Sequence, residues 1–340
     1  MSIVGGVFSE TQLLDTMVRA DALAFDDRIK QQFIPKIEVL KAIKSIQNAR
    51  IKPLIGVKDR DIQLMWMNTC DIVVSDDTSC EFDGESASTN VQEVSIANPK
   101  AVQWYVDETD YDDNYFDIEE GLAKSMLKAE VALLEWLAAY SVGALNTFRG
   151  VNVTAPEGKG DIQTVDTYIQ AAYWNPSLMA YFNRAAIMNQ FSSPVMVTGN
   201  NLYESIFLAK ANSANADGKG DAILYGGQNW FVDLFNIDTV NDPTFATYMI
   251  NQGAVAIAHK TYLKNTTPEV VNGVFSRWMK PSILFPGIDF EVFYKPECTT
   301  GNRIKHNFKM LMNAQMFLNP TGCVETNTGV LRFVCGVPEN

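Results

Sequence analysis

Hydrophobic and polar positions along this chain change their period several times, and each change marks a segment. Ser9-Glu10-Thr11-Gln12 stands ahead of Leu13, Leu14, Met17 and Val18, which predicts a short capped helix. Ile37, Leu40, Ile43 and Ile46 return at helical spacing with lysines on the other face, and Pro53 closes the region. A strand pattern then takes over. Residues 62–67 and 72–74 lead out, 91–96 and 101–106 lead back, and a polar tip over 75–90 lies between them. The pattern predicts a long hairpin with a solvated end.

Residues 117–149 carry the strongest helical pattern, about 50 Å long at helical rise. Asp117 and Glu120 suit the N-cap and N3 positions, acids fill the first turn, Arg149 lies in the last and Gly150 stops it. Leu122, Met126, Ala129, Leu133, Trp136 and Tyr140 form one stripe. Val131, Leu134, Ala138, Val142 and Leu145 occupy other faces, so the second half is expected to be buried nearly all round. After a Gly/Pro-rich connection at 156–161, an α/β region follows. It holds a helical pattern over 164–191 broken near Asn175-Pro176, a strand over 194–198 and a capped helix over 200–211. Buried strands are expected over 222–225, 230–235 and 254–258, and further strands over 289–294, 307–318 and 330–334. No repeat of fixed period is present.

Composition sets the class. Of 340 residues, 47% are hydrophobic and 20% charged, the balance of a chain that folds around a core. The net charge of −13 is unevenly placed. Residues 76–120 hold fourteen acids and one base, while residues 28–60 hold nine bases and two acids. Such a pair of segments suits either two solvated faces or complementary contact between copies of the chain. The overall acidity argues against coating nucleic acid by phosphate neutralisation. No basic and apolar leader opens the chain, and the apolar run 131–145 is broken by Glu135 and falls short of the ~18–20 residues that span a bilayer. The five cysteines include no C-x-x-C pair and suit free thiols in a reducing compartment.

Catalytic and metal chemistry finds little support. There are two histidines, His259 and His306, both read as structural. Gly158-Lys159-Gly160-Asp161 and Gly218-Lys219-Gly220-Asp221 lack the spaced glycine and the Ser/Thr of a phosphate loop. Asp110-Tyr111-Asp112-Asp113-Asn114 starts like a calcium loop, but Tyr115 stands where Gly is needed and Gly121 where Glu is needed. No cofactor, metal or catalytic residue is therefore expected. The concentrated carboxylates at 107–113 keep an α/β enzyme with an acidic site as an alternative.

The order of these segments resembles the major capsid proteins of tailed double-stranded-DNA bacteriophages, whose fold is shared by herpesvirus capsid floors and encapsulins. The resemblance implies an α+β fold with an N-terminal arm (1–50), an extended hairpin or E-loop (51–110), a spine helix with the first part of the P domain (111–191), an A domain (192–285) and the return strands of the P domain (286–340). It implies self-assembly as pentamers and hexamers into an icosahedral shell around packaged double-stranded DNA, without sequence-specific binding and without a membrane. The chain would be assembled in the host cytoplasm and reside in the virion, with portal, scaffolding and decoration proteins as further partners. A start at Met1 implies that any scaffold is separate or absent. On this reading the acidic tip (Asp76, Asp77, Glu81, Asp83, Glu85) and the basic arm (Arg28, Lys30, Lys36, Lys41, Lys44) are inter-subunit contacts. Another virion part, in the tail or as a minor head protein, remains the second reading.

Overall fold

A computed structural model describes residues 8–25, 36–53, 61–67, 89–108, 118–175, 178–202, 206, 223–225, 228–237, 246–298, 304–320 and 328–336. The fold is α+β. The chain divides into two compact units, and the long helix α3 (Ile118–Phe148) contributes its residues up to Leu137 to the first and the rest to the second.

The first unit combines residues 1–35, 96–137 and 259–315. Its sheet is antiparallel and five-stranded, in the order β12 (Glu269–Val271), β13 (Phe275–Pro281), β14 (Asp289–Cys298), β15 (Ile304–Met312) and β4 (Lys100–Asp107). Alternation decides which face is dry. Trp278 and Lys280 on β13, Phe290, Val292 and Tyr294 on β14, and His306, Phe308 and Met310 on β15 are buried. Trp104 of β4 stacks on Phe308 at 5.4 Å. Asn272 and Gly273, with φ of 52° and 67°, make the left-handed turn that joins β12 to β13 with the twist a two-residue hairpin needs. Helix α1 (Glu10–Phe25) opens on Ser9, whose Oγ accepts the Gln12 amide at 3.3 Å, and Leu23 packs with Leu127 of α3.

The second unit combines residues 36–95, 138–258 and 316–340. Its larger sheet has seven strands in the order β5 (Gly160–Gln163), β6 (Asp166–Ile169), β17 (Val330–Cys335), β10 (Ala246–Ile250), β7 (Val195–Thr198), β9 (Gln228–Val232) and β8 (Ile223–Tyr225). The pairs β17–β6 and β7–β9 are parallel. β10 and β7 are buried along their whole length, as central strands covered on both faces are. Helix α4 (Leu178–Met188) lays Leu178 and Phe182 into a core with Met196, Trp230, Met249, Leu331 and Phe333. Phe182 and Phe333 meet edge-on at 4.9 Å. Helix α2 (Glu38–Ile46) packs against β7 and β9. A three-stranded sheet, β1 (Arg50–Pro53), β2 (Asp61–Met67) and β3 (Thr89–Ser95), completes this unit, and β11 (Val255–His259) pairs with β16 (Ala314–Leu318).

Several sequence expectations are corrected. Residues 164–169 are not helical: Thr164 takes a φ of 57°, and β-branched Val165, Thr167 and Ile169 favour the β5–β6 hairpin. Residues 101–106 do not return along the hairpin. Pro99 cannot donate to a ladder, and β4 instead pairs with β15. The second half of α3 is buried along one stripe (Leu133, Leu134, Leu137, Ala138, Val142, Leu145), while Ala132 and Gly143 are exposed. Small residues raised its apolar composition without adding apolar area. Arg149 does more than face the helix end: its Nε lies 2.9 Å from Asp166, which also pairs with Arg332 at 3.1 Å. Strands β12 and β13 fall in the 192–285 segment yet join the five-stranded sheet. β5, β6 and α4, from the 111–191 segment, belong with the seven-stranded one.

Candidate assembly surfaces

Of the residues expected to meet other subunits, Asp76, Asp77, Glu81, Asp83, Glu85, Arg28 and Lys30 lie outside the described residues, as do 72–74 and most of 200–211. The remaining three sit on or beside α2. Lys41 pairs with Glu38 at 2.9 Å, Lys36 lies 4.2 Å over the exposed Phe235 ring, and Lys44 is exposed in the last turn. Their opposite face carries Val39, Leu40, Ala42, Ile43 and Ile46, all buried. The middle of the basic segment is thus one face of a docked amphipathic helix.

Asp233 holds that helix in place. Its carboxylate accepts the amides of Phe235 (3.1 Å), Asn236 (2.9 Å) and Val39 (3.3 Å), while Asn236 Nδ2 donates to the Lys36 carbonyl at 2.9 Å. Asp233 is itself buried. Asp233→Ala leaves the buried amides of Val39 and Asn236 and the half-buried bond of Phe235 without their acceptor, and a loss of about 2–3 kcal/mol is expected. Chemical denaturation measures it; a loss below about 0.5 kcal/mol, the ordinary surface range, contradicts this role.

The root of the hairpin has one dry and one wet face. Ile62, Leu64 and Trp66 are fully buried. Across the ladder Met65 opposes Val91 and Gln63 opposes Glu93, with Val91 and Glu93 exposed. Gln63 donates to Glu93 at 2.9 Å, and Trp66 Nε1 donates to Gln92 at 3.3 Å. β1 adds a third strand on β2, which supplies the support that two strands alone lack.

The acidic-site alternative loses its two described members to structural roles. Glu108 accepts the Ile304 amide at 3.0 Å and lies 3.4 Å from His306 Nε2, and Asp107 ends β4 opposite Lys305. Asp110, Asp112 and Asp113 lie outside the described residues. Among the described residues no group of His, Cys, Asp or Glu could hold a metal ion. Cys298 is an exposed free thiol. Helix α3 is long and apolar enough to cross a membrane by length and composition alone. Its mid-point argues for a protein interior instead, because Glu130 is fully buried and bound to Lys280 at 2.7 Å.

Two buried polar clusters went unread in the sequence, both in the first unit. In one, Glu130 receives Lys280 Nζ (2.7 Å), Ser282 Oγ (2.7 Å) and the amides of Ile283 (3.1 Å) and Leu284 (3.3 Å), and Asp21 of α1 lies 3.0 Å from Lys280. Burial opposes the Lys280 charge, yet Glu130 and Asp21 outweigh it and hold its pKa above the ordinary lysine value. The signal was present: a lone acid inside an apolar helix, and a lysine in phase with Trp278 on a half-buried strand. In the other cluster Phe8, Tyr294, His306 and Glu108 touch in series.

No protein family model matches the chain, and no curated protein matches it. The chain is similar to solved phage capsids. The capsid of Ralstonia phage GP4 is 12% identical, with 83% of this chain and 85% of that chain covered and a TM-score of 0.47. The capsid structure of cyanophage P-SCSP1u is 9% identical over 84% of this chain and 86% of that one, with a TM-score of 0.45. A chain of Mycobacterium phage Adephagia is 13% identical over 89% and 91% of the two, with a TM-score of 0.41.

Proposed function

We propose that this chain is a structural protein, the major capsid protein of a tailed double-stranded-DNA phage, which closes into an icosahedral shell as pentamers and hexamers. The observation that carries the reading is the order of elements along the chain. A helical N-terminal segment, a strand hairpin and a 31-residue helix come first, and the strand just before that helix pairs with strands that return at 304–312. On this reading α3 is the spine, the five-stranded sheet is the centre of the P domain and the seven-stranded sheet that of the A domain. The acidic tip at 76–85 and the bases at 28–44 meet on neighbouring subunits, where they set register and steer encounter more than they add affinity. Heterologous contacts that close under rotation give rings, and rings tile a shell. The net negative charge leaves the inner wall without attraction for packaged DNA. Scaffolding, portal and decoration proteins are the further partners of this reading, and the virion is its location.

Electron microscopy of the purified protein, with light-scattering mass after size exclusion, tests it. Closed shells, or rings of five and six, are expected. A monodisperse monomer or dimer that never assembles, even when crowded or given a scaffold, overturns the reading. Tubes would reassign the chain to a tail.

A further inference from the structure

We propose that Tyr294 and His306 form a proton-operated clasp on the segment that leads into α1, closed by the neutral imidazole and opened by the imidazolium. Every part lies within the first unit. Phe8 immediately precedes the Ser9 cap, and its side chain is 4% exposed. Its backbone N–H donates to the Tyr294 hydroxyl at 3.3 Å. Its ring lies 4.3 Å from the His306 ring and 5.9 Å from the Tyr294 ring. The Tyr294 hydroxyl and His306 Nδ1 are 3.0 Å apart, and His306 Nε2 lies 3.4 Å from Glu108, which is fixed by the Ile304 amide.

These contacts fix a direction. A phenol has one hydrogen to give, and its in-plane lone pair is the better acceptor. With neutral His306, Nε2–H faces the Glu108 carboxylate and Nδ1 accepts the tyrosine proton. The Tyr294 oxygen is then free to accept the Phe8 amide, and the chain of donors runs from Phe8 through Tyr294 and His306 to Glu108. Protonation at Nδ1 turns that nitrogen into a donor. Tyr294 must now accept from the imidazolium, and its own hydrogen turns toward the Phe8 N–H. Two donors then face each other in a dry site, and the Phe8 amide loses its acceptor.

Charges around the ring set where this happens. Burial is the largest influence and pushes the His306 pKa below the ordinary imidazole value, against Glu108 and Asp107, which favour the charged ring. Lys305, the neighbour on β15, lies over Tyr105 at 3.9 Å. Burial holds the Tyr294 hydroxyl up at about 12, so it stays protonated throughout. A lowered histidine pKa means that the folded state binds fewer protons than the unfolded chain. The clasp's contribution is therefore complete above the ordinary imidazole range and is lost as pH falls through the depressed His306 value. Other ties of α1 among the described residues, Arg19 to Glu119, Asp21 to Lys280 and Leu23 to Leu127, contain no imidazole. Opening is thus confined to the first turn of the helix.

The inference does not depend on capsid assembly, and its test reads the unassembled full chain. Amide exchange at Phe8, corrected for intrinsic rate, is followed from about pH 7.5 down to about pH 4, through the whole titration of the His306 ring nitrogen shifts. Protection at Phe8 is expected to fall about three- to tenfold, in step with the imidazole titration. In His306→Gln the response to pH disappears. In Tyr294→Phe, which keeps the ring, protection is low and flat at every pH. The wild-type titration stands even where a variant fails to fold. Constant protection at Phe8 across the window overturns the clasp, and so does an unchanged pH response in H306Q.

Discussion

Glu130→Ala lowers the stability of the first unit by about 3–5 kcal/mol, the largest single-residue effect expected in this chain. The truncation leaves the Lys280 ammonium, which is 2% exposed, with Asp21 as its one ionic partner among the described residues, and Asp21 is itself one-third exposed. It also strips the acceptor from Ser282 Oγ and from the amides of Ile283 and Leu284. Partner loss rather than pair loss makes the cost large. The double variant Glu130→Leu with Lys280→Met removes both charges and should be markedly more stable than E130A alone. Because Glu130 and Asp21 raise the Lys280 pKa, the attraction persists through neutral pH, and on the alkaline side it is lost as the ammonium deprotonates in strong alkali. Urea unfolding, monitored by the fluorescence of Trp278, which lies two residues from Lys280, reads these differences. An E130A midpoint indistinguishable from wild type would remove the triad from the account of this unit.

Deleting residues 76–88 is expected to abolish shells or misdirect them while leaving a folded subunit. The cut removes five of the chain's acids, Asp76, Asp77, Glu81, Asp83 and Glu85, and no base. It spares β2 and β3, whose ladder from Asp61–Ser95 to Met67–Thr89 needs only a short turn to close. Shortening a loop changes its closure cost slowly, so the subunit's own stability should move by about 1 kcal/mol or less. Electron micrographs and unfolding curves of the same sample separate the two effects. Normal shells from the deleted chain would dismiss the tip as an inter-subunit contact.

Much of the architecture was legible from period alone. The stripe on α3 and the alternation at 62–67 and 289–294 gave type and position correctly, because each element buries one continuous face. What escaped was pairing. Nothing local distinguishes 101–106 as the return of a hairpin from 101–106 as the neighbour of β15. Only the break at Pro99 hinted at it. Residues 246–250 were missed because a strand buried on both faces shows no alternation. The turn at Asn272-Gly273 was an available hairpin signal that went unused. The site was the least legible part. The lysines at 41 and 44 looked like a free arm because their charge is conspicuous, whereas the apolar face that docks α2 is decided by β7 and β9, far along the chain. The Glu130 and His306 clusters depend on partners more than a hundred residues away, a distance across which spacing carries no information.

The position of β17 also bears on how the protein is made. The strand, residues 330–335, is synthesised after every other strand of its sheet, yet it lies in the middle of that sheet between β6 and β10. Until it arrives, β5–β6 and β10–β7–β9–β8 are two separate pieces, each with an open hydrogen-bonding edge. A ribosome that stops before residue 330, or a protease that cuts there, therefore does not fray a margin. It splits the seven-stranded sheet and exposes Leu331 and Phe333's partners in the core. Synthesis of β17 and closure of this sheet become one event, and chains that stop short of it are left to aggregation or degradation.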